Sequence, residues 1–441
     1  MKNNKKIVIV GSGVAGINAA TKLVDNGYPG ELITIIDKGR DPYERQPEEV
    51  MCGFAGAGAW SDGKLVVSTA QGGQLSKYCG EDKAMSLMEE VVENFRRFHP
   101  KPEDISCSDP KIEPDFIKPY FDLRMSLVWH IGSNYLHEIA KNWYQHLVDK
   151  GVDFVWNSIV WDINLEANCL YHYDVKDGSP MQTCKEYYDT LIFAVGKSGI
   201  DFAQQLSNEY KLPTEAKSVQ IGVRFEAPQK YFQKLIDVSY DFKLYQSKNN
   251  VSIRSFCTNN NAAYVAVEET YGNISYNGHA KKGEQFQNDM TNFGILMEIK
   301  GIEDPFKWSR DVVQKLQVEG TGLYYSPGNT RTPGLTSEGT TVSVTPISWL
   351  ALLGVSDAMD PYFEHIVDFI SDMNKIFEFG DDYGIYIPEV KYLSPEPLVN
   401  YTNLALNEYP NVHFVGDALS ARGITVSGAH GVYVAEYLLQ K

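Results

Sequence analysis

The sequence predicts an α/β chain: a doubly wound domain on a parallel sheet, interrupted by an inserted α+β segment. Three observations predict it. The N-terminal stretch IVIVGSGVAGINAATKL followed by LITIID reads as strand, glycine turn, helix, strand, acid. Near the other end, NVHFVGDALSARGITVSGAHGVYVAEYLL reads as strand, Gly-Asp turn, helix. Between them lies an apolar strand ending in small residues, TLIFAVGKSG.

The first element carries a ligand signature. Gly11 permits a tight turn, Gly13 lets the backbone approach a pyrophosphate, and Gly16 lets the helix pack against the strand. The helix N-terminus then presents free N–H groups and a positive dipole end to phosphate. Asp37 follows Gly16 by 21 residues, the spacing of an acid that holds a ribose hydroxyl pair. The pattern reads as a dinucleotide site and leaves NAD and FAD open.

The second and third elements narrow the choice. The strand through Val412 to Val415 ends in Gly416-Asp417, and a helix starts at about Ile424, just after Gly423. The central strand ends in Ala194-Val195-Gly196, where small side chains allow close approach. The three elements in this order resemble the FAD domain of glutathione-reductase-like flavoproteins, a Rossmann-type fold. That resemblance implies that Asp417 accepts hydrogen bonds from the ribityl chain, and that Gly423 and Ile424 open a helix toward the flavin C2 carbonyl. It implies that the backbone near Val160 meets the adenine.

A second resemblance is more specific. The loop GFAGAGAWSDGKL, residues 53–65, is similar to the hallmark loop GEGGAGTFSDGKL of a broad family of uncharacterised bacterial FAD-dependent dehydrogenases. HIGSNYL at 130–136, VQIGVRFEAP at 219–228, SFCTNN at 255–260 and YNGHA at 276–280 look like further blocks of that family, in its order. Phe54 replaces a glutamate and Asn259 replaces the second cysteine of a pair that Cys257 begins. These departures suggest a divergent subgroup with its own substrate. The resemblance places Gly56, Gly58 and Ser61 over the pyrophosphate and flavin.

Catalytic candidates are few, because flavin chemistry asks little of the protein beyond positioning and one acid or base. Lys64 can neutralise phosphate or sit near flavin N5, or it can simply pin the loop through Asp62. His130 can serve as an acid or base near neutrality, or as a hydrogen-bonded structural residue. His430 lies one turn into the last helix, close in sequence to the flavin residues, or points into the core. His279 and Cys257 fall in family-matched blocks and are candidates for the substrate side.

The rest of the 441-residue chain fits two or three domains. Residues 1–212 read as the first part of the FAD-binding domain, including a Pro-rich loop at 99–120. Residues 213–390 read as an inserted α+β substrate domain, and 391–441 complete the FAD-binding domain. Helices are expected over 84–98 and 133–149, a β-meander up to about 190, and a core-facing stripe of Phe363, Ile366, Ile370, Met373 and Phe377. The Gly/Thr/Pro-rich segment 321–345 reads as a long loop.

Composition excludes several classes. There are 40 basic and 57 acidic residues, a net charge of −17, which argues against a nucleic-acid partner. No stretch approaches the length of a membrane helix, no signal peptide is visible, and the six cysteines form no CxxC. These features predict a cytoplasmic protein with free thiols. No second GxGxxG announces a built-in NAD(P)H domain, and no WxWxIP run or arginine–diglycine signature announces a halogenase or amine oxidase. The Asp-Gly at 177–178 reads as a meander turn. The sequence predicts an FAD-dependent oxidoreductase of dehydrogenase type that moves hydride between flavin N5 and a small organic substrate. An RNA-modifying flavoprotein and a flavin-binding subunit without turnover are the alternatives. Nothing in it names the external electron donor or acceptor.

Overall fold

The computed structural model describes all residues except 1–4, 47–48, 110–113, 177–178, 249–250, 262, 271, 281–286, 337–338, 349–350, 353, 356, 358–361 and 392–394. The expected meander turn at 177–178 and parts of the 99–120 and 321–345 segments therefore lie outside the described residues. The chain divides into two compact units. One comprises Met1–Ser106, Trp129–Glu215 and Pro395–Lys441, the other Cys107–Val128 and Ala216–Ser394.

The first unit is built on a five-stranded, wholly parallel sheet. Its order is Val412–Phe414, Thr190–Phe193, Ile7–Val10, Ile33–Ile36 and Asp153–Val155. Ile7 stands opposite both Thr190 and Ile33, so the N-terminal strand is the centre of the sheet. Its residues are buried throughout, as a strand covered on both faces requires. The helix Val14–Asp25 follows at once. It packs against the last helix, Ile424–Leu439, where Gly431 lies so close that a Cβ would meet the Ala15 carbonyl oxygen at 2.0 Å. The expected helices are Glu81–Phe98 and Leu136–Asp149, the second preceded by a 3₁₀ turn at Ser133–Tyr135. The three-stranded meander is Ser158–Asn164, Cys169–Lys176 and Ser179–Tyr187.

The second unit holds an eight-stranded sheet, antiparallel but for one edge pair. Its order is Val344–Pro346, Gly322–Tyr325, Gly384–Lys391, Val219–Pro228, Met290–Ile299, Val251–Asn260, Lys243–Lys248 and Asp122–Arg124. The helix Phe363–Phe377 buries the expected stripe, together with Phe369, against this sheet. Two expectations are corrected. Residues 322–325 form a strand and not a loop, because Leu323, Tyr324 and Tyr325 are buried and pair with Ile385–Ile387. The Cys107–Val128 part of the chain, expected with the first domain, belongs to the second unit, where Asp122–Arg124 pairs with Lys243–Tyr245.

Candidate functional site

A cavity of about 400 Å³ opens in the first unit, at the carboxyl ends of the parallel strands. This is where open α/β sheets take ligands. The turns after four strands contribute to its wall: Gly11 and Gly13, Asp37 and Lys38, Ala194 to Gly199, and Gly416 with Asp417. The 51–61 loop and the start of the last helix close it.

Thirteen of the sequence-derived cofactor residues line this cavity: Gly11, Gly13, Asp37, Gly56, Gly58, Ser61, Val160, Ala194, Gly196, Gly416, Asp417, Gly423 and Ile424. Gly16 does not. It serves packing, since a Cβ there would lie 2.1 Å from the Gly11 carbonyl oxygen. Gly11 itself has φ +105° and a Cβ would lie 2.3 Å from the Ala194 carbonyl oxygen. Gly13 differs. Its missing Cβ would meet nothing within 4 Å, so the space over this turn is left free.

Asp37 is the best-connected residue of the wall. Oδ2 accepts from Ser12 N–H at 2.7 Å and from the Ser12 hydroxyl at 2.8 Å. Oδ1 accepts from Gly39 N–H and Gly53 N–H, both at 2.8 Å. A carboxylate offers about four lone-pair sites, so its own chain occupies all of them. The spacing argument anticipates the acid but not this saturation. Asp417 is paired through Oδ1 to Arg422 Nε at 2.8 Å, a partner the sequence reading misses.

The three catalytic candidates stand elsewhere. None of Lys64, His130 and His430 lines the cavity. Lys64 is buried and pairs with Asp62 at 2.9 Å, the loop-pinning arrangement. His130 is buried too, and its Nε2–H donates to the Asp62 carbonyl oxygen at 3.1 Å. That bond ties the ring to the 53–65 loop. His430 is completely buried and meets the Tyr78 ring edge-on at 5.7 Å. Burial pushes its imidazole down to about 4, so it is neutral and shut off from solvent protons at pH 7. His279 and Cys257 belong to the second unit, and neither lines the cavity.

No protein-family model matches the chain, and no curated protein matches it in sequence. Solved structures resemble it distantly. A flavoprotein/dehydrogenase from Cytophaga hutchinsonii is 12% identical with a TM-score of 0.45, over 99% of this chain and 78% of that one. An FAD-containing monooxygenase from Photorhabdus luminescens is 11% identical with a TM-score of 0.46, over 99% and 88%. A glycine oxidase from Bacillus cereus is 12% identical with a TM-score of 0.41, over 99% and 95%. Likenesses at this level assign no chemistry, so the reading of the site rests on its residues. Among the described residues, no helix is long and apolar enough to cross a membrane.

Several lining residues escape the sequence reading: Lys38, Met51, Cys52, Ala57, Lys197 and Ser198. They join two loops. Lys38 Nζ lies 3.5 Å from the Ser198 carbonyl oxygen, and the Ser198 hydroxyl donates to the Met51 carbonyl oxygen at 3.1 Å. Nothing in their spacing marks them, because the contacts span 147 and 160 residues.

Proposed function

We propose that the chain is an FAD-dependent oxidoreductase of dehydrogenase type, with FAD held in the cavity of the first unit. The observation that carries this reading is the free space over Gly13. Beside it, Gly11, Gly16 and Gly58 are each blocked by neighbours, with their absent Cβ atoms 2.1–2.4 Å from other atoms. A turn closed at Gly11 and Gly16 and open at Gly13, in the wall of a cavity, suits a pyrophosphate. The three-part motif and the resemblance to the glutathione-reductase-like flavoproteins and to the SDGKL-loop dehydrogenases choose FAD over NAD.

When bound, FAD supplies hydride acceptance or donation at N5. The chain's part is to hold and orient it. Gly11, Gly13, Gly56 and Gly58 bring backbone to the pyrophosphate, Val160 and its neighbours meet the adenine, and Asp417 with Gly423 and Ile424 faces the ribityl and pyrimidine end. Lys64 and His130 keep the loop in shape through Asp62. The second unit, which holds most of the 213–390 segment, is the substrate domain, and the substrate is a small organic molecule, which accords with the acidic overall charge.

Anaerobic mixing of flavin-loaded protein with a panel of metabolites tests the reading. A dehydrogenase bleaches the flavin absorbance with at least one reduced small molecule. Loaded protein that no electron donor in the panel reduces, while dithionite does, would favour the subunit without turnover.

A further inference from the structure

Arg45 lies outside every motif, yet its guanidinium organises the loop that closes the cavity. It is 6% exposed. Nη1 donates to the Phe54 carbonyl oxygen at 2.6 Å and Nη2 to that of Gly56 at 2.8 Å. Nε and Nη2 donate to the Glu49 carbonyl at 3.1 and 2.7 Å, and Nη2 also reaches that of Val50 at 3.1 Å. Four carbonyl dipoles thus meet this buried cation, and among the described residues no carboxylate pairs with it. Burial draws its guanidinium down to about 10, so it stays charged at neutral pH.

The Gly56 contact has a directional consequence. In a trans peptide the C=O and N–H point opposite ways. With the Gly56 carbonyl turned to Arg45, the Ala57 N–H is turned away from it. Its neighbours' N–H groups are taken: Ala55 by Ser12, Gly56 by Gly53, Gly58 by Ala55. Among the described residues, Ala57 N–H donates to no backbone group. Ala57 is exposed and lines the cavity. The Gly56 backbone also stands beside the Gly13 turn, since a Cβ on Gly56 would lie 3.2 Å from the Gly13 Cα.

We propose that Arg45 is a positioning residue for a diphosphate ester. It fixes and polarises the Gly56–Ala57 peptide so that the Ala57 N–H is presented to the pyrophosphate. This rests on the dinucleotide reading of the cavity, and it assigns a residue of the chain to one group of that ligand. A lysine at this position would keep the charge but lacks the fork of donors that reaches four carbonyls at once.

The test measures binding of FAD, ADP and adenosine to the wild type, Arg45→Lys and Arg45→Ala, with far-UV circular dichroism as the check on folding. We expect both variants to bind FAD and ADP about ten- to a hundred-fold more weakly, the scale of one charge-assisted hydrogen bond, with adenosine affinity unchanged. Millimolar methylguanidinium, but not sodium chloride, should restore part of the ADP affinity of Arg45→Ala. If Arg45→Ala does not fold, Arg45→Lys carries the comparison alone. Undiminished ADP binding, or equal losses for ADP and adenosine, would overturn the proposal. A folded wild type that binds neither FAD nor ADP would remove the dinucleotide reading first, and the role of Arg45 with it.

Discussion

Ser12 gives both its backbone N–H and its hydroxyl to a single oxygen of Asp37, Oδ2, at 2.7 and 2.8 Å. With Gly39 and Gly53 on Oδ1, the carboxylate ties three separate turns together in the wall of the cavity. An acid placed by the motif for a ligand's ribose is thus also a structural knot. Any further donor at this carboxylate competes with those four bonds.

Asp37→Ala should therefore cost stability as well as FAD. Hydrogen bonds to a charged group are worth about 1.5–3 kcal/mol each, so the FAD-free variant should be destabilised by at least about 3 kcal/mol. Urea unfolding of flavin-free protein measures this. A variant as stable as the wild type would mean that the four bonds contribute nothing net. Ser12→Ala should cost only about 1 kcal/mol and leave FAD affinity within about three-fold, because it frees an acceptor site without moving the acid.

The glycines separate cofactor from scaffold. Gly13 has φ −64°, allowed for any residue, and its Cβ would touch nothing within 4 Å. Gly13→Ala should fold with stability within about 0.5 kcal/mol of the wild type and fail to load FAD. Gly16→Ala, with its Cβ 2.1 Å from a carbonyl oxygen, should fail at folding itself. Full flavin occupancy in Gly13→Ala would place the pyrophosphate elsewhere.

Lys64→Met should weaken the fold more than the chemistry. Removing Lys64 takes one partner from the half-buried Asp62 carboxylate, at a cost of up to about 3 kcal/mol. The double variant Lys64→Met/Asp62→Asn should recover part of it. Normal stability with flavin reduction slowed by about 10²-fold or more would instead restore Lys64 as a catalytic residue.

The two units should respond to pH in opposite directions. In the first, burial lowers His430 and His413 to about 4 from an unfolded value near 6.5. Depressed histidines contribute stability above the unfolded value that is lost as pH falls toward 4, by up to about 3 kcal/mol for each such group. In the second, burial raises Glu226 to about 7 and moves Glu389 the same way, beside Arg224. Their contribution is present below about 4.5 and lost as pH rises through 7. Peptide-resolved hydrogen exchange across pH 4–8 reads both trends, after correction for intrinsic exchange rates. His430→Phe should flatten the acid limb of the first unit, and an unchanged limb would exclude His430 as its source.

Much of the first unit is legible in the sequence because its signals are local. Short apolar runs end in glycine turns, and the cavity-lining turns follow strands whose order the motif implies. The helix Phe363–Phe377 is legible by its stripe. The second unit's strand order is not, since antiparallel partners such as Val219 and Ile299 are set by long-range pairing. Strand Gly322–Tyr325 is hidden because its Leu-Tyr-Tyr core sits in Gly/Thr/Pro-rich surroundings. Arg45 carries no local signal at all. An arginine in a polar loop reads as solvated, and only the folding back of residues 49–56 around it buries the charge.

The measurement closest to the central claim is the flavin content of the purified protein. Acid precipitation, followed by chromatography of the supernatant and a protein assay, should yield one FAD per chain, released without a covalent bond. If the folded protein, after incubation with excess FAD, FMN and NAD, retains no FAD, or retains NAD or FMN in its place, the account of this cavity is wrong.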